Sequence, residues 1–137
     1  MQNADVLIIG SGIAGLSVAI KVAQKFPDRQ CVIITKQESA ESNTRYAQGG
    51  IAVVSDFVHD SFAAHIADTL NAGDGLCNRE VVEHVVHQAP QRLKELMEAG
   101  ADFDRDQSGA LILGREGGHK ANRIIHSKDV TGLSIST

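Results

Sequence analysis

The chain has 137 residues, with 13 Lys and Arg against 17 Asp and Glu, a formal charge of −4, 42% hydrophobic residues and 22% charged ones. That balance predicts one soluble globular unit with enough apolar material for a core, and it excludes disordered and fibrous classes. The basic residues are scattered, the five aromatics (four Phe, one Tyr) form no stacking platform, and the longest apolar runs are too short for a membrane span or a signal-peptide core. A small molecule is therefore the expected partner, with neither nucleic acid nor membrane involved.

The first predicted element is Val6-Leu7-Ile8-Ile9, an apolar run of the kind found in a fully buried parallel strand. After the turn Gly10-Ser11-Gly12, residues Ile13, Leu16, Ala19, Ile20 and Ala23 recur at helical spacing, and Pro27 with Asp28 ends the helix near Phe26. Cys31-Val32-Ile33-Ile34-Thr35 is again strand-like. Residues 5–35 thus form one β-α-β unit of about thirty residues, parallel and right-handed. Cys31 opens a buried strand and lies far from Cys77 in sequence. Neither a disulfide framework nor a metal site is expected, and a reducing cytoplasm fits.

A polar stretch then leads through Ala47-Gln48-Gly49-Gly50 into a short strand over 51–54. Asp60 and Ser61 can cap a helix with Phe62, Ile66 and Leu70 inward, stopped by a left-handed Gly73. A second helix follows Asn78, with a core stripe over 81–86, and is kinked or split at Pro90 before continuing to Gly100. Residues 103–113 suggest a hairpin around Gln107-Ser108-Gly109. The last residues, 129–137, would suit a helix N-cap, yet no helix is expected within them, so the chain reads as truncated. One β-α-β unit supplies two parallel strands where a doubly wound sheet needs several, and the others are expected downstream.

Gly10-Ser11-Gly12-Ile13-Ala14-Gly15 is G-x-G-x-x-G directly after a strand and opening a helix, the context that marks a dinucleotide site. Gly10 permits the tight turn, Gly12 removes the Cβ that would block a pyrophosphate, and Gly15 lets helix and strand pack closely. The helix N-terminus offers free N–H groups and a positive dipole end to phosphates. A ribose-binding acid is expected about twenty residues later. None stands there, because Glu38 falls two residues past the strand end. Lys36 has two readings, a contact to a cofactor phosphate or hydroxyl and a solvated strand-end lysine. Asn43 and Thr44 also have two, cofactor contact and ordinary turn chemistry.

Three segments, residues 6–16, Asn43-Thr44-Arg45-Tyr46-Ala47-Gln48-Gly49-Gly50-Ile51-Ala52 and Arg115-Glu116-Gly117-Gly118-His119, together resemble the L-aspartate oxidases. Those enzymes lie within the succinate dehydrogenase and fumarate reductase flavoproteins. Asp68-Thr69-Leu70, Ala72-Gly73 and Asp129-Val130-Thr131-Gly132 extend the likeness over essentially the whole chain, but only over the N-terminal part of the family's longer polypeptide.

The resemblance implies an α/β, Rossmann-like FAD-binding domain with the start of an inserted capping region. Residues 1–137 would be its N-terminal part, incomplete at the C-terminal end. It implies FAD contacts from Gly10, Ser11, Gly12, Ile13, Ala14, Gly15, Lys36, Asn43, Thr44, Arg45, Tyr46, Ala47, Gln48, Gly49 and Gly50. Membrane-bound relatives carry a flavin-linked histidine at the position of Asn43, so FAD held non-covalently is expected here.

The same resemblance implies oxidation of L-aspartate to iminoaspartate, with electrons passed to oxygen or fumarate. The product would feed quinolinate and NAD formation, with quinolinate synthase as a downstream partner. Glu116 would orient the substrate through its α-amino group, because a carboxylate opposite an ammonium selects against dicarboxylates lacking one. Without the family match, Glu116 reads as a surface glutamate paired with Arg115 or with nothing. No catalytic residue is expected within the chain, since the family's proton-transfer arginine lies beyond Thr137. His119 and His126 would organise the loop or border the site. His59, His65, His84 and His87 would be structural or solvent-facing, with no metal bound. The competing functions are a soluble fumarate reductase or succinate dehydrogenase flavoprotein, and a non-catalytic FAD-binding fragment.

Overall fold

The structure, a computed structural model, describes residues 3–36, 42–128 and 131–136. In chain order its elements are β1 (Val6–Ile9), α1 (Ile13–Lys25), β2 (Cys31–Ile34), β3 (Ile51–Ala52), α2 (Phe62–Ala72), α3 (Arg79–Glu98), β4 (Leu113–Gly114), β5 (Ile124–Ile125) and α4 (Thr131–Ser136). They fall into two compact units, Met1–Gln48 with Gly132–Thr137, and Gly49–Thr131. Glu38, Asp129 and Val130 lie outside the described residues.

In the first unit β1 and β2 pair in parallel, from Val6 opposite Cys31 to Ile9 opposite Ile34, and α1 connects them as expected. The crossover is closed at its far end by Asp5, which accepts from the Gln30 backbone at 2.8 Å and pairs with Arg29 at 3.0 Å. The strands are not fully buried. Ile8 faces α1 and is buried, whereas Leu7 and Ile9 point to the other face and stand 57% and 82% exposed. Successive strand residues point to opposite faces, and among the described residues α1 packs on the face that carries Ile8. On α1, Leu16 and Ala19 are half-buried, while Ile13, Ile20 and Ala23 remain exposed.

The second unit is built on a three-stranded antiparallel sheet in the order β3-β5-β4, with Ile51 and Leu113 both opposite Ile125. Its core joins Val53, Leu93, Phe103 and Ile125, with Ile51, Ala89, Met97 and Leu111 packed around them. The predicted strand over 51–54 is shorter in fact, but Val53 and Val54 are fully buried and the Val53 N–H donates to the Arg123 carbonyl. The 103–113 hairpin closes through Asp106, whose carboxylate accepts from Ser108 and Ala110. Arg105 bridges Leu111 across it.

Four expectations need correction. Gly73 caps α2 in right-handed conformation (φ −78°), and the left-handed residues are Asp74 and Gly75. A Cβ at 73 would run into Cys77 Sγ, so a side chain there would require Cys77 to turn away. Next, α3 is not split at Pro90 but continues through it as one helix, since one lost N–H is outweighed by anchoring through Val86 and Leu93. Its 81–86 stripe is only partly core, as Val86 is buried while Val81 and Val85 are more than half exposed. Finally, a helix does form near the end. In α4 the Gly132 N–H donates to the Ala47 carbonyl, a close approach that a side chain at 132 would block.

Candidate active site

In the first unit the turn after β1 needs its glycines. Gly10 adopts φ 107°, a region costly for side-chain-bearing residues, and its N–H extends the sheet by donating to Ile34 O at 2.8 Å. A Cβ on Gly15 would collide with the Gly10 carbonyl and stand 3.2 Å from Ile8 Cγ2. Gly15 therefore sets how closely α1 approaches β1. Above this turn opens a cleft of about 570 Å³, lined by Gly10, Ser11, Gly12, Lys36, Asn43 and Thr44 among others.

The sequence-predicted contacts divide around that cleft. Thr44 is tied to the helix start, because its Oγ1 accepts from the Ile13 N–H at 3.0 Å. One of the N–H groups expected to be free is thus already engaged. Ser11 is buried and its hydroxyl lies 3.4 Å from Thr35 Oγ1. Lys36 is exposed and lines the cleft, a position compatible with both of its readings. Ala14 and Gly15 continue into α1 and do not line the cleft. Arg45, Tyr46 and Ala47 follow in a turn closed by the Ala47 N–H on Thr44 O at 3.1 Å, with Gln48 exposed beyond it.

In the second unit, Gly49 (φ 87°) and Gly50 lead into β3. A Cβ on Gly49 would stand 3.9 Å from Glu116 Oε1, and one on Gly50 would stand 2.6 Å from Ile125 O. Glu116 is paired neither with Arg115 nor left alone. Its Oε1 accepts from His126 Nε2 at 3.0 Å.

Sequence reading missed the group that holds this loop. Arg123 is fully buried, and its guanidinium forks onto Asp60 at 2.8 and 2.7 Å and reaches Asp68 Oδ2 at 2.9 Å. The same Asp68 oxygen accepts the Lys120 N–H at 2.9 Å, and His119 Nδ1 lies 3.1 Å from Arg123. Residues 119–123 are thereby stapled to α2 and its N-cap, where Ser61 alone does the capping and Asp60 serves Arg123. Burial pushes the Asp60 and Asp68 carboxyls up, but Arg123 and backbone N–H donors outweigh it and hold both below the usual carboxylate value. Burial, then the Arg123 charge, pushes the His65 imidazole down, so it stays neutral. His65 Nδ1 is buried without a partner among the described residues. Periodicity on α2 pointed to Phe62, Ile66 and Leu70, yet His65 and Asp68 are buried beside Ile66.

Cys31 and Cys77 are free thiols. Among the described residues no three His, Cys, Asp or Glu are grouped to hold a metal, and no helix is long and apolar enough to cross a membrane.

The family model described as "FAD binding domain" matches residues 5–135. The chain is 48% identical over 131 residues to a protein named L-aspartate oxidase, chloroplastic, from Oryza sativa, covering 96% of this chain and 20% of that protein. It is 41% identical over 141 residues to a protein named L-aspartate oxidase from Vibrio cholerae, covering 99% and 26%. The chain thus spans a fifth to a quarter of the length of these curated relatives. Among solved structures, an E. coli quinol fumarate reductase FrdA variant superposes with a TM-score of 0.89 at 38% identity, over 97% of this chain and 23% of that one. A Mycobacterium smegmatis Sdh1 complex superposes with a TM-score of 0.87 at 35% identity, over 97% and 22%. The family match takes in the strand, glycine turn and helix beside the cleft, and the chain belongs to the FAD binding domain family, with FAD as its cofactor.

Proposed function

We propose that the full-length gene product containing this chain oxidises L-aspartate to iminoaspartate, and that this chain supplies the FAD-phosphate and flavin-contacting part. The observation that carries the reading is Glu116, a half-exposed carboxylate held on the Arg-Glu-Gly-Gly-His loop beside Gly49. It is a group with which a dicarboxylate lacking an amine has no use. When bound, FAD supplies the two-electron acceptor for the Cα hydride, and oxygen or fumarate then takes the electrons.

The residues present fit that cofactor. Gly10 and Gly12 bring bare backbone to the cleft, Thr44 orders the helix start, and Lys36 brings a positive charge to the rim. Asn43 lines the same cleft, and its amide cannot form the bond that an imidazole makes to flavin, so FAD is held non-covalently. By resemblance to the family, Ser11, Ile13, Ala14, Gly15, Arg45, Tyr46, Ala47, Gln48, Gly49 and Gly50 would supply the remaining contacts to FAD. Glu116 meets the substrate ammonium with a charge-assisted hydrogen bond. We place the reaction upstream of quinolinate synthase in NAD formation, on the ground of resemblance to the named oxidases, and in a reducing cytoplasm, on the ground that Cys31 and Cys77 are free thiols.

The likeness to fumarate reductase structures favours one other reading, a flavoprotein acting on amine-free dicarboxylates. Aspartate-dependent peroxide release by the full-length, FAD-loaded gene product separates the two. We expect Glu116→Gln to raise the KM for L-aspartate about tenfold or more while leaving succinate binding within about twofold. Equal losses for both ligands would remove Glu116 from amine recognition, and succinate turnover without L-aspartate turnover would establish the other reading.

A further inference from the structure

Glu116 sits half-exposed on a glycine-rich loop, and its rotatable side chain has no fixed direction of its own. His126 supplies one. A carboxylate only accepts hydrogen bonds, so at 3.0 Å the His126 Nε2 carries the proton and donates it to Oε1. The bond engages Oε1 alone and leaves Oε2 to meet an ammonium.

The histidine ring is itself held in a slot. It follows β5 directly, and on each side the neighbouring segment presents a glycine. A Cβ on Gly114 would stand 3.2 Å from the His126 Cε1, and one on Gly50 would stand 3.0 Å from Cδ2. Both glycines keep open the space that the imidazole fills. The Gly49-Gly50 backbone, the ring and the carboxylate therefore form one small assembly within the second unit.

Resting on the reading of Glu116 above, we propose that His126 is a positioning residue for selectivity toward amine-bearing dicarboxylates. Seated between Gly50 and Gly114, it aims the Glu116 carboxylate through Nε2. It acts through Glu116 alone, and no proton need leave it.

The test uses the full-length, FAD-loaded gene product, with KM and kcat for L-aspartate and the Kd for succinate read from perturbation of the flavin spectrum. His126→Phe keeps a ring and removes the donor, and we expect the L-aspartate KM to rise about tenfold with kcat and succinate Kd within about twofold. His126→Gln restores an N–H donor at similar reach and should return KM to within about threefold of the parent. In a Glu116→Gln background, His126→Phe should add nothing.

Unchanged KM in His126→Phe, or equal change for both ligands, with Glu116→Gln still selective, overturns the positioning role alone. A Glu116→Gln variant without selectivity overturns the amine-recognition reading and this role with it. Should His126→Phe fail to retain flavin, Gly114→Ala displaces the ring without changing its chemistry. The ratio of L-aspartate KM to succinate Kd must then rise, and an unchanged ratio overturns the proposal.

Discussion

Arg123 is the side chain on which the second unit depends most. A guanidinium out of water is tolerated only when its donors are met, and here Asp60 takes two and Asp68 a third. Arg123→Leu would leave two buried carboxylates without their cation, and should lower the stability of the full-length gene product by about 3 to 5 kcal/mol at pH 7 in urea titrations. Arg123 holds both carboxyls below their unfolded value near 4, so their contribution is present above that value and lost as pH falls through the folded one. The gap between parent and variant should therefore narrow toward pH 3, and a gap independent of pH would detach the carboxylates from the effect. This group was illegible in sequence. Asp60 and Asp68 stand 63 and 55 residues from Arg123, and no local pattern links charges across such distances. Glu116 was legible only through resemblance, and its partner His126 was legible merely as a loop histidine.

The unit of β1, its glycine turn and α1 was the most readable part of the chain, because every feature that builds it is local. Hydrophobic runs, helical spacing and glycine positions all lie within thirty residues. Gly15 carries the sharpest demand. Gly15→Ala would force the helix away from the Gly10 carbonyl, and we expect the FAD dissociation constant to rise at least about tenfold, followed by flavin fluorescence on dilution. Retention of FAD at parental affinity would show that α1 can move without disturbing the cleft. By contrast α4 was missed, since six residues have little helical preference alone and the tie from Gly132 to Ala47 is a tertiary one. The continuation of α3 beyond Pro90 was legible in the helical spacing, and what sequence left open was a split there, because burial of Val86 and Leu93 overrides a local breaker.

At the scale of the molecule, the first unit presents Leu7, Ile9 and Ile34 on the sheet face opposite α1, at 57%, 82% and 45% exposure. Sequence alone suggested full burial, because an apolar run does not say what will cover its second face. Contiguous apolar surface of this kind promotes association. Produced as these 137 residues alone, the chain should bind a hydrophobic dye and elute ahead of its monomer mass by size exclusion with light scattering. Leu7→Lys, which leaves the cleft lining untouched, should reduce both. A dye-silent monomer would show that this face is not sticky.

The strand order of the second unit also governs when it can come into being. During synthesis β3 emerges first and β4 later, yet neither pairs with the other, and both wait for β5, which lies between them. Arg123 immediately precedes β5, so the same short segment completes the sheet and brings the cation to Asp60 and Asp68. Until that stretch leaves the ribosome, two lone strands and two uncompensated acids must stay solvated. Once it is out, backbone pairing and charge pairing can close together, so one arginine and two isoleucines complete both the sheet and the buried ion cluster.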